Sequence, residues 1–162
     1  MMAMTSSHPE RIGPAAPFPQ EVNLRRPGFV QGGIRGILRL EGFTVLAVSV
    51  LAFAGLHASW RLFAELILAP DVSFLAYLIN PRWGAIAYNT LHSYIAPLLL
   101  GLIAQFGHAP VLLPIALIWV AHIGFDRAAG YGLKYGSAFG DTHLGYKGRA
   151  RNHANAAKNV AN

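Results

Sequence analysis

Asp71, His92, His122 and Asp126 stand inside stretches of sequence that are otherwise apolar. Carboxylate oxygens and imidazole nitrogens suit zinc, iron or manganese, and the same groups serve as general acids and bases. An ionisable side chain in hydrocarbon costs about 2.5–3.5 kcal/mol on insertion scales, so its position generally marks a site or a pathway. His122 and Asp126 are four residues apart and share a helix face. Asn89 and His92 are three apart, with Tyr88 on the adjoining row. Pro70, directly before Asp71, has no N–H and leaves the Leu66 carbonyl without its helical partner, which predicts a kink beside the site. Asp141 and His143 follow a stretch punctuated by Gly130, Gly132, Gly136 and Gly140, able to fold back over the mouth of a helix bundle.

These side chains need a scaffold, and composition says which kind. Only 12% of the 162 residues are charged and 54% are hydrophobic. Soluble domains carry about 25% charged residues, so the solvent is apolar. The length suits one domain. With no cysteine, disulfides, thiolate metal sites and cysteine nucleophiles are excluded, and a soft metal such as copper(I) is not expected. The net charge of +6 is read as basic tails beside a membrane rather than as a nucleic-acid surface. Residues 1–36, with Pro14, Pro17 and Pro19 and without a signal-peptide core, are expected to form a disordered basic tail.

Four stretches, at 37–56, 62–79, 85–104 and 111–125, each approach the 20 or so apolar residues that cross about 30 Å of hydrocarbon. The fourth is expected to continue as a helix toward Tyr135. Short turns at His57–Trp60, Asn80–Gly84 and Gly107–Pro110 make sequential helices antiparallel neighbours. The predicted fold is all-α, an integral membrane four-helix up-down-up-down bundle over residues 37–135, followed by a cytoplasmic segment at 136–162. A soluble bundle would carry a charged stripe, yet between Val111 and Val120 the only polar side-chain group is the indole N–H of Trp119. Of the lysines and arginines only Arg61 falls on one side of this arrangement; all the rest fall on the other. The positive-inside rule therefore places both termini in the cytoplasm, with Trp60 and Trp83 at the interfaces.

Helix direction converts position into depth at about 1.5 Å per residue. Asp71 then lies roughly 12 Å from the cytoplasmic end of its span and His92 roughly 10 Å from that of the next. His122 is at a similar depth, Asp126 one turn lower, and Glu41 roughly 6 Å inside the first span. All four helices deliver a polar group to the same half of the bundle. Plainer roles are available for each. Asp126 and Arg127 could form an interfacial charge pair, and Glu41 could pair with Arg39 or Arg82. His122, and His92 with Asn89, could be interhelical hydrogen-bond glue. Glu65, near the outer end, is read as peripheral.

The strings Arg39-Leu40-Glu41-Gly42, Ala69-Pro70-Asp71, Tyr88-Asn89 with His92, and His122-Ile123-Gly124-Phe125-Asp126-Arg127 occur in one order. Gly130-Tyr131-Gly132-Leu133-Lys134-Tyr135 and Asp141-Thr142-His143-Leu144-Gly145 follow. From about Leu38 to Tyr146 the chain resembles a bacterial family of small four-helix integral membrane proteins catalogued as a domain of unknown function. The resemblance implies topology and a bacterial inner-membrane location, and no activity. Pro70-Asp71 followed by His92 is also similar in type to inner-membrane metal-dependent hydrolases, whose denser histidine motif this chain lacks.

Two classes of function stay open. In the first, Asp71, His92, His122, Asp126, Asp141 and His143 supply ligands to a divalent metal, zinc, iron or manganese. The ion activates water against a lipid-borne ester or phosphoester, Glu41 or Asp126 is the general base, and Tyr88 and Asn89 orient the ligands. In the second, the protein is a non-enzymatic accessory subunit or a binder of lipid, pigment or haem, with His92 and His122 as axial ligands. Proton movement through the Asp–His cluster is a third outcome. Membrane lipid is the expected partner, and a homo-oligomer or a membrane complex fits either class.

Overall fold

The computed structural model describes residues 30, 32–136 and 139–146. Most of the expected disordered tail at 1–36, and the end of the chain beyond 146, lie outside the described residues. The first pass is α1, Gly33–Gly55, which starts earlier than the sequence suggested. It turns through His57 and enters α2, Trp60–Leu66.

The second pass is not one α-helix. Beyond α2 it becomes a 3₁₀ helix, Ala69–Leu78, with Pro70 at its start. The missing N–H of Pro70 ends the α-helical ladder, and the chain tightens instead of kinking. A 3₁₀ helix rises about 2.0 Å per residue, so this pass regains the length that the break removes. The third pass is also interrupted. α3, Pro81–Leu91, is capped by Asn80, whose Oδ1 accepts from the Trp83 N–H at 2.9 Å. α4 resumes at Ile95–Phe106 after a break at His92–Tyr94. Pro97 cannot donate to the Ser93 carbonyl, which accounts for the break.

Freed carbonyls inside a membrane must find donors within the protein. The Leu91 carbonyl accepts from Trp119 Nε1 at 2.7 Å, and the His92 carbonyl from Arg127 Nη2 at 3.0 Å. Both donors stand on the fourth pass, α5, Leu112–Ala129. That helix stops at Gly130, whose φ of 84° is left-handed. The Gly130 N–H meets the Arg127 carbonyl at 2.9 Å and the Tyr131 N–H meets that of Asp126 at 2.7 Å, a Schellman ending. The expected continuation toward Tyr135 is therefore corrected: glycine terminates the helix first.

α1 packs along α5, the 3₁₀ helix along α3, and α4 along α5. The chain is an all-α four-helix bundle. α1, the α3–α4 pass (Pro81–Phe106) and α5 are each long and apolar enough to cross a membrane. Large apolar side chains such as Leu51, Leu78, Ile79 and Phe106 face outward, as lipid contact requires. After α5 the chain folds back, as the glycines suggested. A short antiparallel hairpin, β1 (Asp141–Thr142) and β2 (Gly145–Tyr146), bridges to Lys134.

The α1–α5 contact is set by two glycines. A Cβ on Gly124 would stand 2.7 Å from the Leu46 N and 2.9 Å from the Gly42 carbonyl, and one on Gly42 would strike Arg127 Cβ. Gly124→Ala is expected to lower stability by about 1–3 kcal/mol through overpacking. Gly36→Ala, with open space around it, should gain about 0.5–1 kcal/mol as a helix former. Thermal melting of the two variants checks the pair; equal effects would remove the close-approach argument.

Candidate metal centre

Both interrupted passes break where the polar residues stand. Asp71 opens the 3₁₀ helix, His92 caps α3, and His122 and Asp126 sit one turn apart on α5. Asp71 Oδ1, His92 Nε2 and His122 Nε2 all lie within 4.8 Å of one another. The separations are 3.1 Å between the two imidazoles, 3.4 Å from His92 to Asp71 and 3.6 Å from His122 to Asp71. Ligands arranged tetrahedrally at about 2.0–2.1 Å from an ion stand about 3.3–3.4 Å apart. The triangle has the dimensions of one face of such a tetrahedron.

Hydrogen bonding fixes which way the lone pairs point. His92 Nδ1 lies 3.0 Å from the Tyr88 carbonyl, which can only accept. The proton therefore belongs on Nδ1, and Nε2 of the neutral ring presents a lone pair. That lone pair faces His122 Nε2, Asp71 Oδ1 and Asp126 Oδ2, the last at 3.6 Å. One hydrogen on His122 satisfies one of these contacts. The carboxylate oxygens then face an acceptor, an arrangement that a proton on Nε2 or a cation between the donors satisfies. His92 and His122 are buried at 0% and 2% exposure, whereas the Asp71 side chain is 32% exposed and gives the centre an opening.

Tyr88 holds this group in place. Its ring stacks on His92 with centroids 3.7 Å apart, and its hydroxyl donates to Asp126 Oδ2 at 2.7 Å. Asn89 has a different task from the ligand-orienting one expected. Its Oδ1 accepts from the Lys134 N–H at 2.7 Å and its Nδ2 donates to the Lys134 carbonyl at 2.9 Å, pinning the chain after α5. Lys134 is thereby buried in an aromatic box, with Nζ 3.4 Å from the Phe139 ring centroid and 4.5 Å from that of Tyr88. Burial pulls its ammonium down to about 8, while Asp126 and Asp71 pull toward the charged form. It remains a cation at neutral pH. Sequence reasoning had counted Lys134 only as a charge in the tail. Its signal was the aromatic and glycine company it keeps, with Tyr131 and Tyr135 on either side.

The other candidate residues stand elsewhere. Glu41 and His143 line a separate cavity of about 200 Å³ with Tyr94 and Arg127, beside α1. Asp141 is buried in the hairpin. Arg127 spends its guanidinium on the Tyr131 and His92 carbonyls, both at 3.0 Å. A further cavity of about 240 Å³ is wholly apolar in character, lined by Leu66, Pro70, Leu91, Ile118 and Trp119 among others. Pro70 and Leu91 are chain neighbours of Asp71 and His92, but none of the three donor residues lines this cavity.

His143 fastens the fold-back. Its Nδ1 accepts from the Leu133 N–H at 2.8 Å, and burial together with the nearby Arg127 lowers its pKa below the usual 6.5. The folded state therefore takes up the proton less readily than the unfolded one. Stability from this group is complete above pH 6.5 and falls as the pH drops below it. The protection factor of the Leu133 amide, taken against its intrinsic exchange rate at each pH, is expected to fall under those conditions. His143→Asn, which retains an acceptor but no titrating group, should remove the pH dependence.

Residues 35–146 match the model of a family described as Domain of unknown function (DUF4260), and the chain belongs to that family. No curated protein and no solved structure matches it.

Proposed function

We propose that the chain is a membrane-embedded, divalent-metal-dependent hydrolase of a lipid-borne ester or phosphoester. The observation that carries the reading is the convergence of the Asp71, His92 and His122 donor atoms, with the His92 lone pair turned toward acceptors. Zinc, iron and manganese all suit two imidazoles and a carboxylate. An ion held by these three residues would polarise a water molecule and stabilise negative charge on the substrate.

Asp126 is assigned as general base. Its Oδ2 reaches the edge of the ligand group and is held there by Tyr88. It takes a proton from the attacking water and returns it to the departing alkoxide, so the ester bond is replaced by an acid and an alcohol. Glu41 lines another cavity, which leaves this task to Asp126. An apolar cavity lined by Pro70 and Leu91, chain neighbours of Asp71 and His92, favours a substrate with a hydrocarbon part. Haem is disfavoured by the same distances. The two Nε2 atoms face each other at 3.1 Å with Asp71 Oδ1 beside them, a donor set that would suit a small ion better than haem.

The proposal extends to orientation. The lysine and arginine distribution supports a cytoplasmic location for both termini and the centre, in what we read as a bacterial inner membrane. Because the chain has no native cysteine, single cysteines at Asn162 and Gly107 report sidedness directly. The activity is tested in lipid nanodiscs: hydrolysis should stop on chelation and return with added metal. Hydrolysis that persists in stripped protein would refute the assignment.

A further inference from the structure

One buried cation, Lys134, and one half-buried cation, Arg127, border the metal centre, and the hydrolytic scheme uses neither. Lys134 is 6% exposed; its Nζ donates to the Phe139 carbonyl at 3.1 Å and lies over the rings of Phe74, Tyr77, Tyr88 and Phe139. Arg127 donates to the Tyr131 and His92 carbonyls. All of these contacts are with neutral groups; among the described residues neither cation forms an ion pair, and Asp126 and Asp71 act on Lys134 only at longer range. Both are nonetheless close to the centre. Lys134 sits on the ring of Tyr88, which itself stacks on His92 and bonds Asp126. Arg127 follows Asp126 and holds the carbonyl of His92.

The charges have a consequence. With both imidazoles neutral, as metal coordination requires, Lys134 and Arg127 offset Asp71 and Asp126 around the donor triangle, while Asp141 is engaged in the hairpin. A divalent ion then leaves two positive charges uncompensated in a poorly solvated interior, an arrangement that is costly unless a counter-charge accompanies it. Glu41 shares the Arg127 cavity but is exposed, where its charge is screened. A neutral carboxyl ester brings no counter-charge. A phosphoryl group brings one or two negative charges and oxygens that both a metal and an ammonium can bind.

We infer that the metal-loaded centre selects an anionic phosphoryl group, with Lys134 supplying the second positive charge, so that a phosphate ester rather than a neutral carboxyl ester is its ligand. The inference rests on the metal reading of Asp71, His92 and His122. It makes opposite predictions for two ligands of one variant. Lys134→Met removes a cation that repels the metal and attracts the phosphate. Zinc should bind about tenfold more tightly or better, and inorganic phosphate about tenfold more weakly, in the zinc-loaded form. A lysine that merely filled its aromatic box would not move the two affinities in opposite directions.

The experiment uses the full chain in nanodiscs of phosphatidylcholine, with calorimetry of zinc and then of inorganic phosphate. Lys134→Gln, which keeps a hydrogen-bond donor for the Phe139 carbonyl, repeats the test with less disturbance of packing, and melting curves confirm that each variant folds. Expected is phosphate binding by zinc-loaded protein and none by stripped protein, with the opposed shifts in both variants. Nanodiscs containing phosphatidic acid separate the sources. If that lipid competes with phosphate, the ligand is a lipid headgroup; if it does not, the ligand is free phosphate, and the phosphoryl assignment stands in either case. Zinc binding without phosphate binding would overturn this inference alone. Shifts in the same direction, or none, would overturn the role of Lys134. A wild-type protein that binds no zinc would overturn the metal reading and this inference with it.

Discussion

His122→Ala is expected to leave a folded protein that no longer retains a divalent metal. The imidazole Nε2 lies 3.1 Å from that of His92 and 3.6 Å from Asp71 Oδ1, and alanine in an apolar wall offers no replacement donor. Losing a residue that merely orients a ligand costs about 10–100-fold in metal affinity, so loss of a ligand is expected to cost more. Asp71→Asn should weaken binding severely as well, because the amide keeps the shape but loses the charge that balances the cation. Glu65→Gln is the control. Glu65 is exposed and paired with Arg61 at 2.7 Å, away from the centre. If the histidines were only interhelical glue, His122→Ala would lower stability by about 1 kcal/mol and change no metal content. Metal content and melting temperature, measured on the same samples, separate the two outcomes.

Asp126→Asn should give the complementary result: metal retained, turnover lost. Asparagine still accepts the Tyr88 hydroxyl that is now 2.7 Å from Oδ2, so packing is preserved. It cannot take a proton from water, and removal of a general base costs about 10²–10⁴-fold in rate. Tyr88→Phe should cost less, since it only releases Asp126 from its position. The readout is product release from lipid nanodiscs alongside metal content. A fully active Asp126→Asn protein would remove Asp126 from the mechanism and return the base role to an untested residue.

Asp71, His92 and His122, three of the residues that helix direction put at one level, do have their donor atoms together, whereas Glu41, put there by the same reasoning, lines a different cavity. The breaks were only half legible. Pro70 announced one, but a proline does not say whether a helix will kink or tighten to 3₁₀, which depends on packing against α3. Pro97 carried the same information for the third pass, yet its freed carbonyl is four residues earlier, next to His92. Gly130 ends α5 by a left-handed turn that apolar periodicity cannot register. Asp141 and His143 share a two-residue spacing with many ligand pairs. The hairpin register commits the His143 ring to the Leu133 N–H, and such a tertiary contact leaves no trace in spacing. Lys134 was hidden for a related reason: its burial depends on Asn89, 45 residues away.

The central claim is that Asp71, His92 and His122 hold a divalent ion. The most direct measurement is elemental analysis of wild-type protein, purified without chelators and again after metal addition and desalting. The account predicts about one equivalent of zinc, iron or manganese per chain, lost in His122→Ala. A wild-type chain that stays metal-free under both conditions would contradict it.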